Sequence, residues 1–463
     1  MKPVQSASAL RPWLDCRALL HSLASNVRNI SSTLSGGRKI FYGWWLLAGS
    51  VVAMALGSGV SFWSYGLYIG PLEEEFGWSR TEVSLGFSVS LLIGGLSGPL
   101  IGRWIDARGP RLAIIVGATL TAATYVLLAT TTELWQWYGY HSLNAVSRQM
   151  MFFIPFQALI SRWFDRRRGM ALGILGAGFS LGGFVVVPLM RLIIDVFGWD
   201  GAFIFSGIAI VGVFMPIGLL LVRNSPADVG AVPDGELPAR SEPYQARALT
   251  GLTLGRALST PLFWVLALAM MLFFYGLFGW LVHMVPFYES VGVSRGVAAA
   301  LVSIAAGFGI LSRLTFGLLA DRIRRIETVA MGLVAFLMAG MTTLILDSGA
   351  AGIAVFLVFW VVGSGGGPLL EPLLLTRAFG LAHFGVILGA FIVVETVGFV
   401  TSPAVAGAIF DSTGSYDWVL VMFLGAFGAS FALFYVAARL PHPLIPRPEP
   451  VPATNVRPLT PPY

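Results

Sequence analysis

Charge is what this sequence has least of. Lys, Arg, Asp and Glu make up 11% of its 463 residues, against about 25% in an ordinary soluble domain. A water-soluble globule of this length could not cover its surface with so few charges. That excludes an ordinary cytosolic enzyme, a nucleic-acid-binding protein and a disordered chain. Cysteine occurs once, at Cys16, so neither an intrachain disulfide nor a cysteine metal cluster can form. The five histidines show no HxxxH or HExxH spacing, and no metal site is expected. No cofactor motif and no nucleophile–base constellation appears, so neither a cofactor nor enzymatic activity is expected. What fills the chain instead is apolar: 56% hydrophobic residues, 13% of all residues aromatic, and a mean hydropathy of +0.79.

The apolar residues fall into twelve stretches, at 42–70, 81–101, 112–132, 135–160, 170–191, 201–222, 261–287, 296–319, 327–346, 350–376, 384–408 and 416–438. Each is long enough to cross ~30 Å of hydrocarbon as a helix. None shows the alternation of a β-barrel strand, so an all-α membrane protein of twelve spans is expected. With the N-terminus inside, 24 of the 29 Lys and Arg fall on the cytoplasmic side and three, Arg80, Arg191 and Arg295, outside; Arg148 and Arg313 stay within spans. The positive-inside rule therefore places both termini in the cytoplasm. The net charge of +6 becomes a topology signal rather than a nucleic-acid footprint. No signal-peptide pattern opens the chain. Leu10–Leu23 can form a short amphipathic surface helix or a plain tail, and the Pro-rich end reads as disordered.

Self-similarity at about 215 residues organises the rest. Gly77-Trp-Ser-Arg80 opens span 2 and Gly292-Val-Ser-Arg295 opens span 8. Gly102 and Asp106 correspond to Gly317 and Asp321, Gly169 and Gly173 to Gly385 and Gly389, and Pro188 to Pro403. The expected organisation is a tail (1–40), a six-helix half (41–222), a polar linker (223–260), a second six-helix half in the same orientation (261–440) and a Pro-rich tail (441–463).

Twelve spans in two parallel halves, a central cytoplasmic linker and the loop Gly102-Arg-Trp-Ile-Asp106-Ala-Arg108-Gly109-Pro-Arg111 together resemble the major facilitator superfamily. A weaker copy of that loop, Gly317-Leu-Leu-Ala-Asp321-Arg322-Ile-Arg-Arg325, follows span 8. Read physically, the glycines let helices approach closely. Asp106 can accept hydrogen bonds at a helix N-terminus or pair with arginine, and Arg108 and Arg111 can bridge to another helix. Such contacts would latch one face and break as it opens; the alternative is a plain turn carrying positive-inside charge. Three runs are similar to the monocarboxylate porter and oxalate/formate exchanger branch. They are Phe41-Tyr-Gly43-Trp44-Trp45, the stretch Arg162–Gly173 with Ala177-Gly178, and Asn224-Ser225-Pro226-Ala-Asp228-Val-Gly230 with Pro233-Asp234-Gly235. This resemblance implies a small organic acid as substrate.

Ionisable residues inside the membrane are candidate functional groups, because a charge at mid-bilayer costs ~2.5–3.5 kcal/mol on insertion scales. Arg313 resembles the span-8 arginine that binds substrate carboxylate in this branch; otherwise it pairs with Glu371 or Glu395. His283 matches a substrate-facing histidine, or is a satisfied interfacial one. Glu395, near the middle of span 11, is a proton-coupling candidate or a partner of Arg313 or Arg148. Glu371, flanked by Pro368 and Pro372, suits a structural or gating role. Arg148 centres span 4 with His141 and Asn144 at helical spacing, a polar cavity face on which Arg148 and Asn144 could contact substrate. Where the branch has small residues, Arg148 suggests a second anionic group on the substrate. Animal members carry a lysine in span 1 and an acid one turn before the span-8 arginine. Here those regions read Phe62-Trp63-Ser64-Tyr65 and Gly309, so their lactate–proton residue set does not transfer.

The resulting expectation is a monomeric secondary transporter in a plasma membrane. It moves a mono- or dicarboxylate by alternating access, either as a symporter with protons coupled through Glu395, the preferred reading, or as an exchanger. Export of an amphipathic drug or metabolite is the rival, and a non-transporting receptor on the same fold a more distant one.

Overall fold

A computed structural model describes residues 40–235, 249–323 and 325–443. The tail 1–39, with its amphipathic stretch and Cys16, the linker residues 236–248 and the Pro-rich end from 444 lie outside the described residues. The architecture is helical, one of the two ways, with the closed β-barrel, in which a chain in lipid satisfies its own backbone polar groups. The described residues hold one isolated β-bridge, Gly251 to Gly380, and no strand.

Ten stretches are individually long and apolar enough to cross a membrane. Spans 5 and 6 count as one of them, because they run together from Arg168 to Leu221 through a turn at Gly198, whose φ is 76°. Span 4 is not among them. It is two helices, Leu134–Met151 and Phe153–Trp163, broken at Phe152, and the polar residues Tyr138 to Gln149 dilute its hydropathy. With these two adjustments the twelve expected spans are all present.

The repeat is structural as well as sequential. Span 10 is also broken, into Ala350–Gly365 and Gly367–Phe379, at the position equivalent to the break in span 4. Gly77 and Gly292 both hold left-handed φ, 68° and 87°, which lets each end one helix before Ser79 or Ser294 starts the next. Ser79 closes a capping box: its hydroxyl accepts from the Glu82 N–H at 3.3 Å and Glu82 accepts from the Ser79 N–H at 2.8 Å. Within each half the same neighbours meet: span 1 with 5 as 7 with 11, span 2 with 4 as 8 with 10, and span 3 with 6 as 9 with 12.

Span 1 departs from a simple helix. Its α-helix, Tyr42–Ser58, gives way to a π-turn at Gly59–Trp63 and a 3-10 turn at Tyr65–Tyr68; a separate helix, Ile69–Phe76, follows. Span 5 has a matching π-turn at Gly182–Val186, packed against the first.

Candidate functional site

The two halves meet along two glycine seams, span 2 on span 11 and span 5 on span 8. A Cβ on Gly385 would lie 2.7 Å from the Gly102 carbonyl oxygen, one on Gly98 2.8 Å from that of Gly389, and one on Gly317 2.6 Å from that of Gly169. Only hydrogen allows backbones this close, and in a bilayer such close packing is a main source of helix association.

Each seam ends in a carboxylate at the Lys/Arg-rich face. Asp106 of span 2 accepts from the backbone N–H groups of Gly385 and Val386, both at 2.9 Å. Asp321 of span 8 accepts from Gly169 at 2.6 Å and Met170 at 3.0 Å. Each aspartate therefore caps a helix of the other half, satisfying first-turn N–H groups and meeting the positive end of its dipole. Arg162, buried at the end of span 4, pairs with Asp106 at 3.8 Å. Arg377, its repeat equivalent, donates to Ile323 and Ala320 carbonyls at 2.7 and 2.9 Å.

The remaining loop residues do other work than bridging the halves. Arg108 lies over the Trp104 ring, 5.6 Å from its centroid. Arg111 does reach another helix, but in its own half: it donates to Gly218 and Leu219 carbonyls at the end of span 6. Gly109, with φ 84°, packs against Asn224. Arg322 is exposed, and Arg325 donates to the Ala438 carbonyl at 3.0 Å. Arg162, not among the candidate latch residues read from the sequence, is the arginine that stands beside Asp106.

Arg313 lies deeper, where span 8 passes the break in span 10. Ser312 donates to the Val362 carbonyl at 3.1 Å, and Gly365 packs against Ser312 and the Arg313 backbone. The Arg313 side chain runs past Gly176 and crosses to the other half, where Nη1 donates to Ser180 Oγ. Its Nε has no partner, and no carboxylate pairs with it among the described residues. A guanidinium so placed keeps its planar donor edge for an anion.

Arg148 projects from the other half. It donates to the Ser61 carbonyl at 2.9 Å and to Ser90 Oγ at 3.1 Å. Ser61 belongs to the π-turn of span 1. No ion pair with Glu395 forms among the described residues; the partners Arg148 meets are a carbonyl and a hydroxyl of its own half. Glu395 and Glu371 are 2% and 6% exposed. They lie within electrostatic reach of one another, and one oxygen of each has no hydrogen-bond partner.

Two other candidates are turned elsewhere. Asn144 donates to Thr124 Oγ1 at 2.9 Å, tying span 4 to span 3. His283 has both ring nitrogens occupied, by Tyr416 Oη at 3.3 Å and the Pro403 carbonyl at 3.0 Å. An aromatic belt that no sequence motif marks lies between the halves. Phe62 contacts Phe87, Phe179 and Phe278 at centroid distances of 5.3, 5.5 and 6.0 Å, and Phe278 contacts Phe399 at 4.4 Å. These rings are half-buried.

Comparison with known proteins agrees with this geometry. The family model of the Major Facilitator Superfamily matches residues 51–398, three-quarters of the chain. The chain belongs to the major facilitator superfamily. Among superfamily relatives, the oxalate:formate antiporter of Oxalobacter formigenes is 27% identical over 406 residues, covering 87% of this chain and 93% of that protein. Human monocarboxylate transporter 12 is 28% identical over 326 residues, covering 66% and 63%. The crystal structure of the superfamily transporter FucP in the outward conformation superimposes with a TM-score of 0.64 at 14% identity, covering 85% of this chain and 99% of that one. Membership makes the protein a multi-pass membrane transporter.

Proposed function

We propose that the protein moves a small organic anion, a mono- or dicarboxylate, by alternating access between its two halves. The carrying observation is Arg313: a cation inside span 8, eight residues inward of Asp321, without a carboxylate partner among the described residues and reaching from one half to the other. A half-buried cation inside a membrane span is expensive without an anion, and a substrate carboxylate would complete the pair. Arg148 offers a second anion-binding group from the opposite half, and Glu395 with Glu371 offers carboxyls that can carry a proton. The relatives named as oxalate:formate antiporter and monocarboxylate transporter support the same substrate class. The aromatic belt suits a substrate with an apolar body, and it is what favours the alternative of an amphipathic exported metabolite.

Uptake by proteoliposomes of labelled mono- and dicarboxylates, with and without an imposed pH gradient, tests the proposal. A carboxylate should accumulate, and Arg148→Lys should reduce dicarboxylate uptake much more than monocarboxylate uptake. Uptake of neither acid class, with transport of an uncharged amphipath, would favour the exporter.

In the proposed topology both termini lie in the cytoplasm and the Lys/Arg-rich face of a plasma-membrane protein turns inward, a reading that the distribution of Lys and Arg supports. Ser348 and Ala227 are exposed on opposite faces. In a Cys16→Ser background, an impermeant thiol reagent outside the cell should label Ser348→Cys and spare Ala227→Cys. The reverse pattern would invert the topology.

A further inference from the structure

The motif Pro233-Asp234-Gly235 takes no part in the site above, yet its aspartate is among the most constrained residues of the described chain. Asp234 is 9% exposed and holds φ of 60°, the only positive φ of a non-glycine residue among those described. Its carboxylate accepts three consecutive backbone N–H groups of the loop between spans 4 and 5. They come from Asp165 at 3.0 Å, Arg166 at 2.7 Å and Arg167 at 3.3 Å. A left-handed aspartate costs on the order of 1 kcal/mol, and three charge-assisted hydrogen bonds outweigh that. Gly235 beside it packs on Phe41, so the segment is fixed to span 1 as well.

The loop it holds leads straight into span 5. Two residues further on, the N–H groups of Gly169 and Met170 are those that Asp321 caps from the other half. Five N–H groups between 165 and 170 are thus divided between two carboxylates, one from the linker and one from across the seam. Arg168 lies within the electrostatic reach of Asp165, Asp234 and Asp321, and also donates to the Ser161 and Phe164 carbonyls, fastening the loop from below. The second half has a counterpart. The Thr250 carbonyl, at the other end of the linker, accepts from Leu381 at 2.9 Å and Ala382 at 3.3 Å, just before the span-11 N–H groups that Asp106 caps.

From this we infer that Asp234 is a positioning residue for alternating access: it holds the 165–167 loop so that Gly169 and Met170 are presented to Asp321, and thereby sets how firmly the basic face closes. Asp321 must release its two N–H groups when that face opens. Asp234, bonded within its own half, keeps the loop folded and ready for reclosure. The inference needs a transport cycle but no particular substrate.

Two cysteine reporters in a Cys16→Ser background test it on purified protein in nanodiscs, where both faces are open to reagent. Leu369, 2% exposed and packed on Gly176 across the halves, reports separation of the basic side. Phe87, in the aromatic belt, reports access from the opposite side. Asp234→Ala should speed maleimide labelling of Leu369→Cys by roughly fivefold, the shift expected from one weakened hydrogen bond, and slow labelling of Phe87→Cys. Asp234→Asn keeps an acceptor and tolerates the left-handed backbone, so it should shift both rates the same way by less. It decides the matter if the alanine variant does not fold. Faster labelling at both reporters would mean general loosening and would overturn the inference, as would unchanged labelling at both in every folded variant.

Discussion

Replacing Gly102 or Gly385 by valine is expected to abolish transport and leave the protein unable to close its basic face. A side chain at Gly102 would overlap the Gly385 carbonyl, and one at Gly385 would stand 2.7 Å from the Gly102 carbonyl oxygen. Neither obstacle is a movable side-chain tip; both are helix backbones, so relief requires spans 2 and 11 to separate. Separation pulls Asp106 away from Gly385 and Val386, and the cap is lost with the seam. Asp106→Asn tests the cap without the steric change. It retains an acceptor but not the charge, and charged hydrogen bonds exceed neutral ones by roughly 1 kcal/mol, a shift of about fivefold between the two faces. Gly212→Val, at a span-6 glycine with open space around it, is the control and should transport normally. Initial uptake rates decide it. Normal uptake by both Gly102→Val and Gly385→Val would show that the seam need not close in each cycle.

The spans, their pairing as repeats and the two repeat-related aspartates at helix N-termini were legible in the sequence because each rests on local composition or on a fixed offset. The break in span 4 was not read, although Pro155, in the first turn of the helix after Phe152, and the offset to Gly366 in span 10 were available hints. The partners of the charged groups were less legible still. Nothing local to Asp106 points to Gly385, 279 residues away, and Ser61, Ser90 and Ser180 are unremarkable as letters until the fold brings them to Arg148 and Arg313. Arg162 could have been found, because it stands 215 residues before Arg377. Asn144 and His283 were chosen by spacing and by resemblance; in this structure each is held by a neighbouring protein group, Thr124 for one and Tyr416 with Pro403 for the other. Hydrophobic periodicity identifies which residues turn inward, but two inward faces, one toward the cavity and one toward a neighbouring helix, look alike to it.

Arg313→Lys should bind the substrate acid roughly ten- to a hundredfold more weakly, the effect of losing a charged hydrogen bond worth about 1.5–3 kcal/mol. Lysine keeps the charge but not the planar fork, and its ammonium would be a point donor where two parallel donors are needed. Arg313→Gln removes the charge and should cost at least as much. Ser180→Ala separates binding from parking. Ser180 Oγ is the acceptor of Nη1 in this structure, so if a carboxylate takes over that guanidinium, losing the hydroxyl should change affinity by a few-fold at most. A structural role for Arg313 predicts the opposite order. Ser180→Ala would then disturb the span 5 to span 8 seam, while Arg313→Lys, still able to donate to the hydroxyl, would be the milder change. Equilibrium binding of one mono- and one dicarboxylate to purified wild type and these three variants distinguishes the two. Wild-type affinity for both acids in Arg313→Lys and Arg313→Gln would remove the residue on which the substrate class rests and leave a superfamily transporter whose cargo must be sought among uncharged compounds.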